Sequence, residues 1–293
     1  MRCSCQNGGV MCRLFGFRSV IQSQVHRSLL DADNALGAQS TDHRDGWGVA
    51  FYVDGAPHIT RSPTTAIDCA LFRRVSGIVA SETVLAHVRR ATNGELSVLN
   101  CHPFQYGKWV MAHNGDIRGF AEHREELVQR VAPRLRRYIL GDTDSEVLFF
   151  LFLTHLAQHG PLSGRIGVEE TSMALQSTLD QARGICDTVP DEEPSLLTTI
   201  VTDGTTMVAV EGGKELFWST YKTRCGDRET CPSLAPECEA PSESGYVNHL
   251  IFSSEVIEGE NIWLPMEPGE FIGVDWRMKL MRTSGQRHLA VVN

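Results

Sequence analysis

The amino-acid sequence predicts an α+β fold in which sheets and helices stack as layers. Three observations lead there: β-rich segments dominate the first 115 residues, helical periodicity takes over between residues 121 and 185, and β-rich segments return from residue 195. Strands and helices grouped in blocks pack as separate layers, whereas alternating units would point to a parallel sheet. No internal repeat interrupts this order.

Residues 12–19 and 47–53 read as strands, and the apolar spacing of residues 26–40 between them suits a short helix. Further strands are expected at 83–89 and 108–115. Residues 121–139 read as helical with an interruption forced by Pro133, which lacks an N–H and clashes with the preceding turn. Residues 144–159 form a second helix, with Asp144 or Ser145 available as N-cap, and residues 168–185 a third. Strands follow at 195–204, 205–213, 248–254 and 271–283. Residues 225–245 are rich in Pro, Ser, Gly and Glu and read as an exposed loop. The gaps between its Cys225, Cys231 and Cys238 do not match the tight Cys-x2-4-Cys spacing of a zinc knuckle.

Charge and composition exclude several classes of function. With 27 basic and 36 acidic residues the chain carries a formal charge of -9 and no basic block able to track a phosphate backbone, which argues against nucleic acid as a partner. The most apolar run, "EVLFFLFLTHLA", falls short of the roughly 18 residues that cross a bilayer, so no membrane association is expected. Nine cysteines, an odd number without paired spacing or a secretory signal, fit reduced thiols in the cytoplasm.

The densest polar grouping lies between His87 and Ile117: "HVRRATNG", then an Asn and "HP", then "HNG" closing an apolar strand. "RDGWGVAFY" at 44–52 precedes it, "TDSEV" at 143–147 follows it, and "MCRLFGF" opens at residue 11. These motifs, in this order over residues 11–147, resemble the glutaminase domain of class II glutamine amidotransferases, as in glucosamine-6-phosphate synthase. Over its full length the chain is similar to the stand-alone bacterial members, and beyond about residue 150 the likeness is to their general layout. The resemblance implies an N-terminal-nucleophile hydrolase fold, a four-layer α/β/β/α sandwich with two antiparallel sheets, and residues 12–293 as a single domain.

In this family the nucleophile is an N-terminal cysteine, which assigns that part to Cys12. Its own α-amine, with an ordinary pKa near 7.7–8.0 against about 8.5 for a thiol, can accept the thiol proton near neutral pH. A peptide bond before Cys12 removes that base, so residues 1–11 are expected to be absent or removed in the active form. Either translation begins at Met11 or the leader is cut off; the first needs less machinery. By the same resemblance the Asn114 side-chain amide and the Gly115 N–H form an oxyanion hole, with Gly115 also admitting the substrate close to the backbone. Arg89 suits the α-carboxylate of an amino acid as a bidentate fork, Asp144 the α-ammonium, and Thr92 lies near the carboxylate. Asp144 has the alternative of acting only as a helix cap. Arg90 and Asn93 depart from the aromatic residue and the histidine of the sugar-phosphate synthases.

Asp45, Gly46, Trp47 and Gly48 are expected to shape the turn and strand beside Cys12, while Ser254 and Glu255 either cap a turn or border the pocket. His87, His102 and His113 lack short ligand spacing and read as hydrogen-bonded structural histidines; no metal and no cofactor is implied. The expected reaction is hydrolysis of the γ-carboxamide of glutamine through a Cys12 thioester, releasing ammonia and glutamate, the ammonia passing to a separate synthase if one exists. Two alternatives stand beside it: a hydrolase of a larger γ-glutamyl compound of the ergothioneine or glutathione type, and a catalytically silent binding protein should the leader stay attached.

Overall fold

A computed structural model describes residues 12–283, apart from 26, 33, 42, 92, 93, 191 and 227. The leader and the expected substrate-side Thr92, with its neighbour Asn93, therefore lie outside the described residues. In chain order the elements are β1 (Arg13–Gln24), α1 (Leu36–Gln39), β2 (Trp47–Val53), β3 (Ala56–Ser62), α2 (Ala70–Ile78), β4 (Ala80–Val88), β5 (Phe104–Tyr106) and β6 (Trp109–Asp116). Then come α3 (Phe120–Arg130), α4 (Pro133–Arg136), α5 (Asp144–Leu156), α6 (Val168–Cys186), β7 (Leu196–Thr202), β8 (Met207–Val210) and β9 (Phe217–Ser219). The last strands are β10 (His249–Ser253), β11 (Leu264–Pro265), β12 (Phe271–Val274) and β13 (Leu280–Thr283).

The strands form two antiparallel sheets, one of seven strands in the order β11-β9-β10-β1-β4-β2-β3 and one of six in the order β13-β12-β8-β7-β6-β5. Side-chain alternation along each strand sorts the apolar residues into three cores. Leu14, Leu85, Val110, Ala112, Ile200 and Phe252 fill the space between the sheets. Phe15, Trp47, Val49, Ala86 and Val88 face outward from the seven-stranded sheet, onto Phe72 of α2. Trp109, Met111 and Val201 face outward from the other sheet, onto α3, α5 and α6. The result is the expected α/β/β/α sandwich. α5 sits within its helical layer, and Val147 to Leu153 are all buried, which accounts for the apolar run. Among the described residues no helix is long and apolar enough to cross a membrane.

Several boundaries differ from the sequence expectation. Pro133 does split the 121–139 helix, into α3 and α4. Residues 26–40 hold two short pieces, a wide helical turn over Arg27–Asp31 and then α1. Residues 271–283 form a hairpin, because Asp275 Oδ1 accepts the N–H groups of Arg277 and Lys279 and Met278 adopts φ 62°. The cap of α5 is neither Asp144 nor Ser145. Thr143 holds that position, its hydroxyl accepting the Glu146 N–H at 3.3 Å, and this moves Asp144 into the first turn with its carboxylate free for other donors. β3, α2, β5, β9 and β11 have no counterpart in the sequence reading. β3 shows why: its residues are exposed or half-buried throughout, so no alternation marks it.

The second half of "RDGWG" is explained by packing. An ideal Cβ on Gly48 would lie 2.0 Å from the His102 carbonyl oxygen, so only glycine lets β2 pass that segment. Gly48→Ala is accordingly expected to lower stability by about 1–3 kcal/mol or more. Urea unfolding monitored by circular dichroism checks this, and an unchanged midpoint would refute the packing account.

Candidate active site

One end of the sandwich collects the candidate residues, and strand parity explains why. Cys12 precedes β1 two residues before Leu14, Arg89 follows β4 two residues after His87, and Asn114 lies two residues beyond Ala112 on β6. Leu14 and Ala112 belong to the inter-sheet core, as does Leu85, two residues before His87. The three candidates thus share the inward-facing parity of their strands. β1 and β4 are antiparallel, with Arg13 opposite Val88, which brings the start of one beside the end of the other. Cys12, Arg89, Arg90, Gly115, Thr143 and Asp144 border a single recess.

The Cys12 thiol is held by backbone. Its Sγ donates to the Arg90 carbonyl and accepts the Arg90 N–H, both at 3.2 Å. The two peptide groups on either side of Arg90 are themselves clamped by the "RDGWG" segment. Arg89 N–H donates to Gly46 O at 2.7 Å, Asp45 N–H donates to Arg89 O at 3.1 Å, and Asp45 Oδ2 accepts the Ala91 N–H at 2.8 Å. Asp45 and Gly46 therefore act through residues 89–91, one step removed from the nucleophile. On the other side, Ser254 locks β1: Leu14 N–H donates to its hydroxyl at 2.9 Å and its own N–H donates to Leu14 O at 3.1 Å. Glu255 pairs with Arg13. These two residues brace the strand that carries Cys12.

Burial pushes the Cys12 thiol up to about 11, against the lowering effects of the Arg90 backbone and the Arg89 charge, with Asp144 adding to the rise. A thiol in that state is protonated at neutral pH, so attack from this position calls for a proton acceptor within reach of Sγ.

Asp144 is 3% exposed, its Oδ2 accepts the Ile117 N–H at 2.8 Å, and its Oδ1 accepts the Ser145 N–H at 2.7 Å. It therefore ties the end of β6 to the start of α5 while bordering the recess. Asn114 is buried, and its Oδ1 has no hydrogen-bond partner among the described residues. Gly115 differs from expectation in one respect. An added Cβ would lie 1.7 Å from the Leu196 carbonyl oxygen, so β7 itself demands the glycine, whatever a substrate requires. Leu197, opposite Gly115, sends its N–H to Gly212 instead. Arg89 is buried, with Nη1 3.4 Å from the Glu95 carbonyl oxygen.

The three histidines separate. His113 faces α5, bonding Ser145 Oγ at 2.8 Å and Leu196 O at 2.9 Å, as a structural histidine should. His87 and His102 correct the hydrogen-bonded reading: their rings lie tilted at 38° with centroids 4.2 Å apart, and no ring nitrogen makes a well-formed hydrogen bond among the described residues. His87 has only a poorly aligned contact with the His113 backbone. Burial, followed by neighbouring positive charge, drives both well below the ordinary 6.5.

Comparisons with known proteins bear on family and fold. A model of class-II glutamine amidotransferases matches residues 11–218. A probable glutamine amidotransferase, DUG3, of Saccharomyces cerevisiae is 32% identical over 223 residues, 68% of this chain and 62% of that protein, so the chain spans less than two thirds of that relative. A gamma-glutamyl-hercynylcysteine sulfoxide hydrolase of Mycobacterium tuberculosis is 36% identical over 117 residues, 36% of this chain and half of that one. Among solved structures, a glutamine aminotransferase class-II domain protein from Silicibacter pomeroyi shares the fold with a TM-score of 0.65 at 21% identity, over 93% of this chain and 98% of that one.

The two adjacent histidines carry a pH consequence. Folded, both stay neutral, while unfolded histidine takes up a proton below about 6.5; the unfolded state then binds more protons and stability falls as pH falls. The slope is about 1.4 kcal/mol per pH unit for each histidine. Urea unfolding at pH 7.5 and pH 5.0 should show that loss, and replacing both rings by Phe should reduce it, leaving the smaller part that buried His249 contributes; a loss of equal size in the doubly substituted protein would assign it elsewhere.

Proposed function

Because the chain belongs to the class-II glutamine amidotransferases, we propose that it hydrolyses a γ-glutamyl amide with Cys12 as the nucleophile and glutamine as reference substrate. The observation that supports this reading most is the convergence of Cys12, Arg89, Gly115 and Asp144 on one recess, with Asn114 adjoining at the end of β6. Once the α-amine of Cys12 is free it takes the thiol proton, and Sγ attacks the amide carbon. The carbonyl oxygen gains the negative charge, which the Asn114 amide and the Gly115 N–H receive. The C–N bond then breaks, the departing nitrogen collects the proton from the α-ammonium, and glutamate remains as a thioester. Water, deprotonated by the same amine, attacks the thioester and restores the thiol. Arg89 grips the α-carboxylate and Asp144 the α-ammonium, and the resemblance to the family gives Thr92 a part in carboxylate binding. Released ammonia reaches solvent or a separate synthase.

A larger γ-glutamyl compound is the second reading, favoured by the similarity to a gamma-glutamyl-hercynylcysteine sulfoxide hydrolase. Both readings treat residues 12–293 as one catalytic unit and require residues 1–11 to be absent from it.

Three measurements test this. Active protein should have a mass that lacks residues 1–11, and full activity from a chain retaining Met1 would rule out the amine as base. Asn114→Ala should lower kcat by roughly 10² to 10³ with little change in KM, the behaviour of a contact made mainly in the transition state. Arg89→Ala and Asp144→Ala should lower kcat/KM by about 1.5–3 kcal/mol each, chiefly through KM. Glutamate release from glutamine, N-acetylglutamine and a γ-glutamyl peptide then separates the readings. Equal kcat/KM for glutamine and N-acetylglutamine would return Asp144 to a purely structural part. Inert glutamine with efficient peptide cleavage would select the second reading.

A further inference from the structure

A second cysteine, away from the recess, is surrounded by donors. Cys69 holds the N-cap position of α2, with φ -88° and ψ 113°, and its carbonyl accepts the Arg73 N–H at 3.2 Å. The first N–H groups of a helix have no partner within it. Here those of Phe72 and Leu71 turn to the Cys69 sulfur, and the hydroxyl of the exposed Thr64 approaches it from the preceding loop. No acidic residue occupies the first turn of α2. A neutral thiol is a weak acceptor, and in that state it makes no well-formed capping bond.

The remaining donor comes from the core. Trp47, the first residue of β2, is fully buried, with its ring edge-on to Phe72 of α2 at 5.1 Å between centroids. Its Nε1–H makes no well-formed hydrogen bond among the described residues, yet it reaches the Cys69 sulfur. A buried indole N–H ordinarily has a partner, and the sulfur it reaches becomes a full acceptor only as a thiolate. Burial works against ionisation, but Phe72, Thr64, Leu71 and Trp47 together outweigh it and bring the thiol below its ordinary value. Cys12, Cys101 and Cys186 are driven the other way by burial. Cys69 is also only half-buried, so a small reagent can reach it.

We propose that Cys69 is a modification site, at which a low-molecular-weight disulfide forms a mixed disulfide with the protein. The thiol gives its proton to solvent, and the thiolate attacks one sulfur of the reagent. The new S–S bond forms as the old one breaks; Cys69 is oxidised, and the departing half is reduced and takes up a proton. A thiol brought down toward ambient pH is the best attacker in such an exchange. The test is to incubate the full chain near neutral pH with hydroxyethyl disulfide, which carries neither charge nor a γ-glutamyl group, and to follow the adducts by peptide mass mapping. Cys69 should react at least fivefold faster than Cys231, the other half-buried cysteine among the described residues. Thr64→Val should slow Cys69 at least threefold and leave Cys231 unchanged, and Trp47→Phe should do the same where circular dichroism shows a native fold. Thr64 is exposed, so its substitution decides the matter alone if Trp47→Phe unfolds. A Cys69 rate less than fivefold above that of Cys231, or one that either folded variant slows less than threefold, would overturn the proposal.

Discussion

Two hydrogen bonds between one thiol and the two peptide groups that flank Arg90 organise the candidate site. Cys12 Sγ faces both the N–H and the carbonyl of Arg90, a residue 78 positions away, and no side chain of Arg90 is needed for it. Both peptide groups can serve this way only if they do not rotate, and Asp45 holds each of them: its N–H donates to the Arg89 carbonyl and its carboxylate accepts the Ala91 N–H. The turn before β2, the end of β4 and the start of β1 therefore form one unit. Gly46 enters it at φ 138°, a conformation that side-chain-bearing residues rarely adopt, and a Cβ there would lie 2.7 Å from Cys101 Sγ.

The second constraint is register. A shift of one residue along β1, β4 or β6 would turn Cys12, Arg89 or Asn114 to the opposite face. The inter-sheet core opposes such a slip, since Leu14, Leu85 and Ala112 would have to leave it together. Hydrophobic packing at the centre of the sandwich thus controls polar geometry at its edge. α5 is joined to that edge by polar contacts: Asp144 to Ile117, Ser145 to His113, and Glu146 to Leu140 and Gly141. Low dielectric strengthens such a network when every member is satisfied. His87 and His102, lacking well-formed hydrogen bonds at its border, are where it is incomplete.

Much of this was legible in the sequence, because the relevant signals are local. Helical periodicity marked α5 and α6, Pro133 marked the break after α3, and the polar residues grouped between His87 and Asn114 stood out against their apolar strands. The match of residues 11–218 to a class-II glutamine amidotransferase model agrees with the motifs read there. Short or exposed elements such as β3 and α2 carried too weak a pattern to be read. The N-cap was misplaced by one residue because Thr143, Asp144 and Ser145 all have capping chemistry, and only the path of β6 into Ile117 decides which of them turns back to the helix.

Residue type and spacing by themselves determined the layered α+β class and the acidic charge, and the resemblance of the motifs to a known family supplied the candidate groups at the site. Tertiary structure alone decided how those groups are held. The Arg90 backbone that cradles Cys12, the Leu196 carbonyl that demands Gly115 and the His102 carbonyl that demands Gly48 are all long-range relations. Backbone N–H and C=O groups are the same at nearly every position, so sequence identity does not announce which of them will meet a thiol or exclude a Cβ. That information exists only once strands distant in the chain lie side by side.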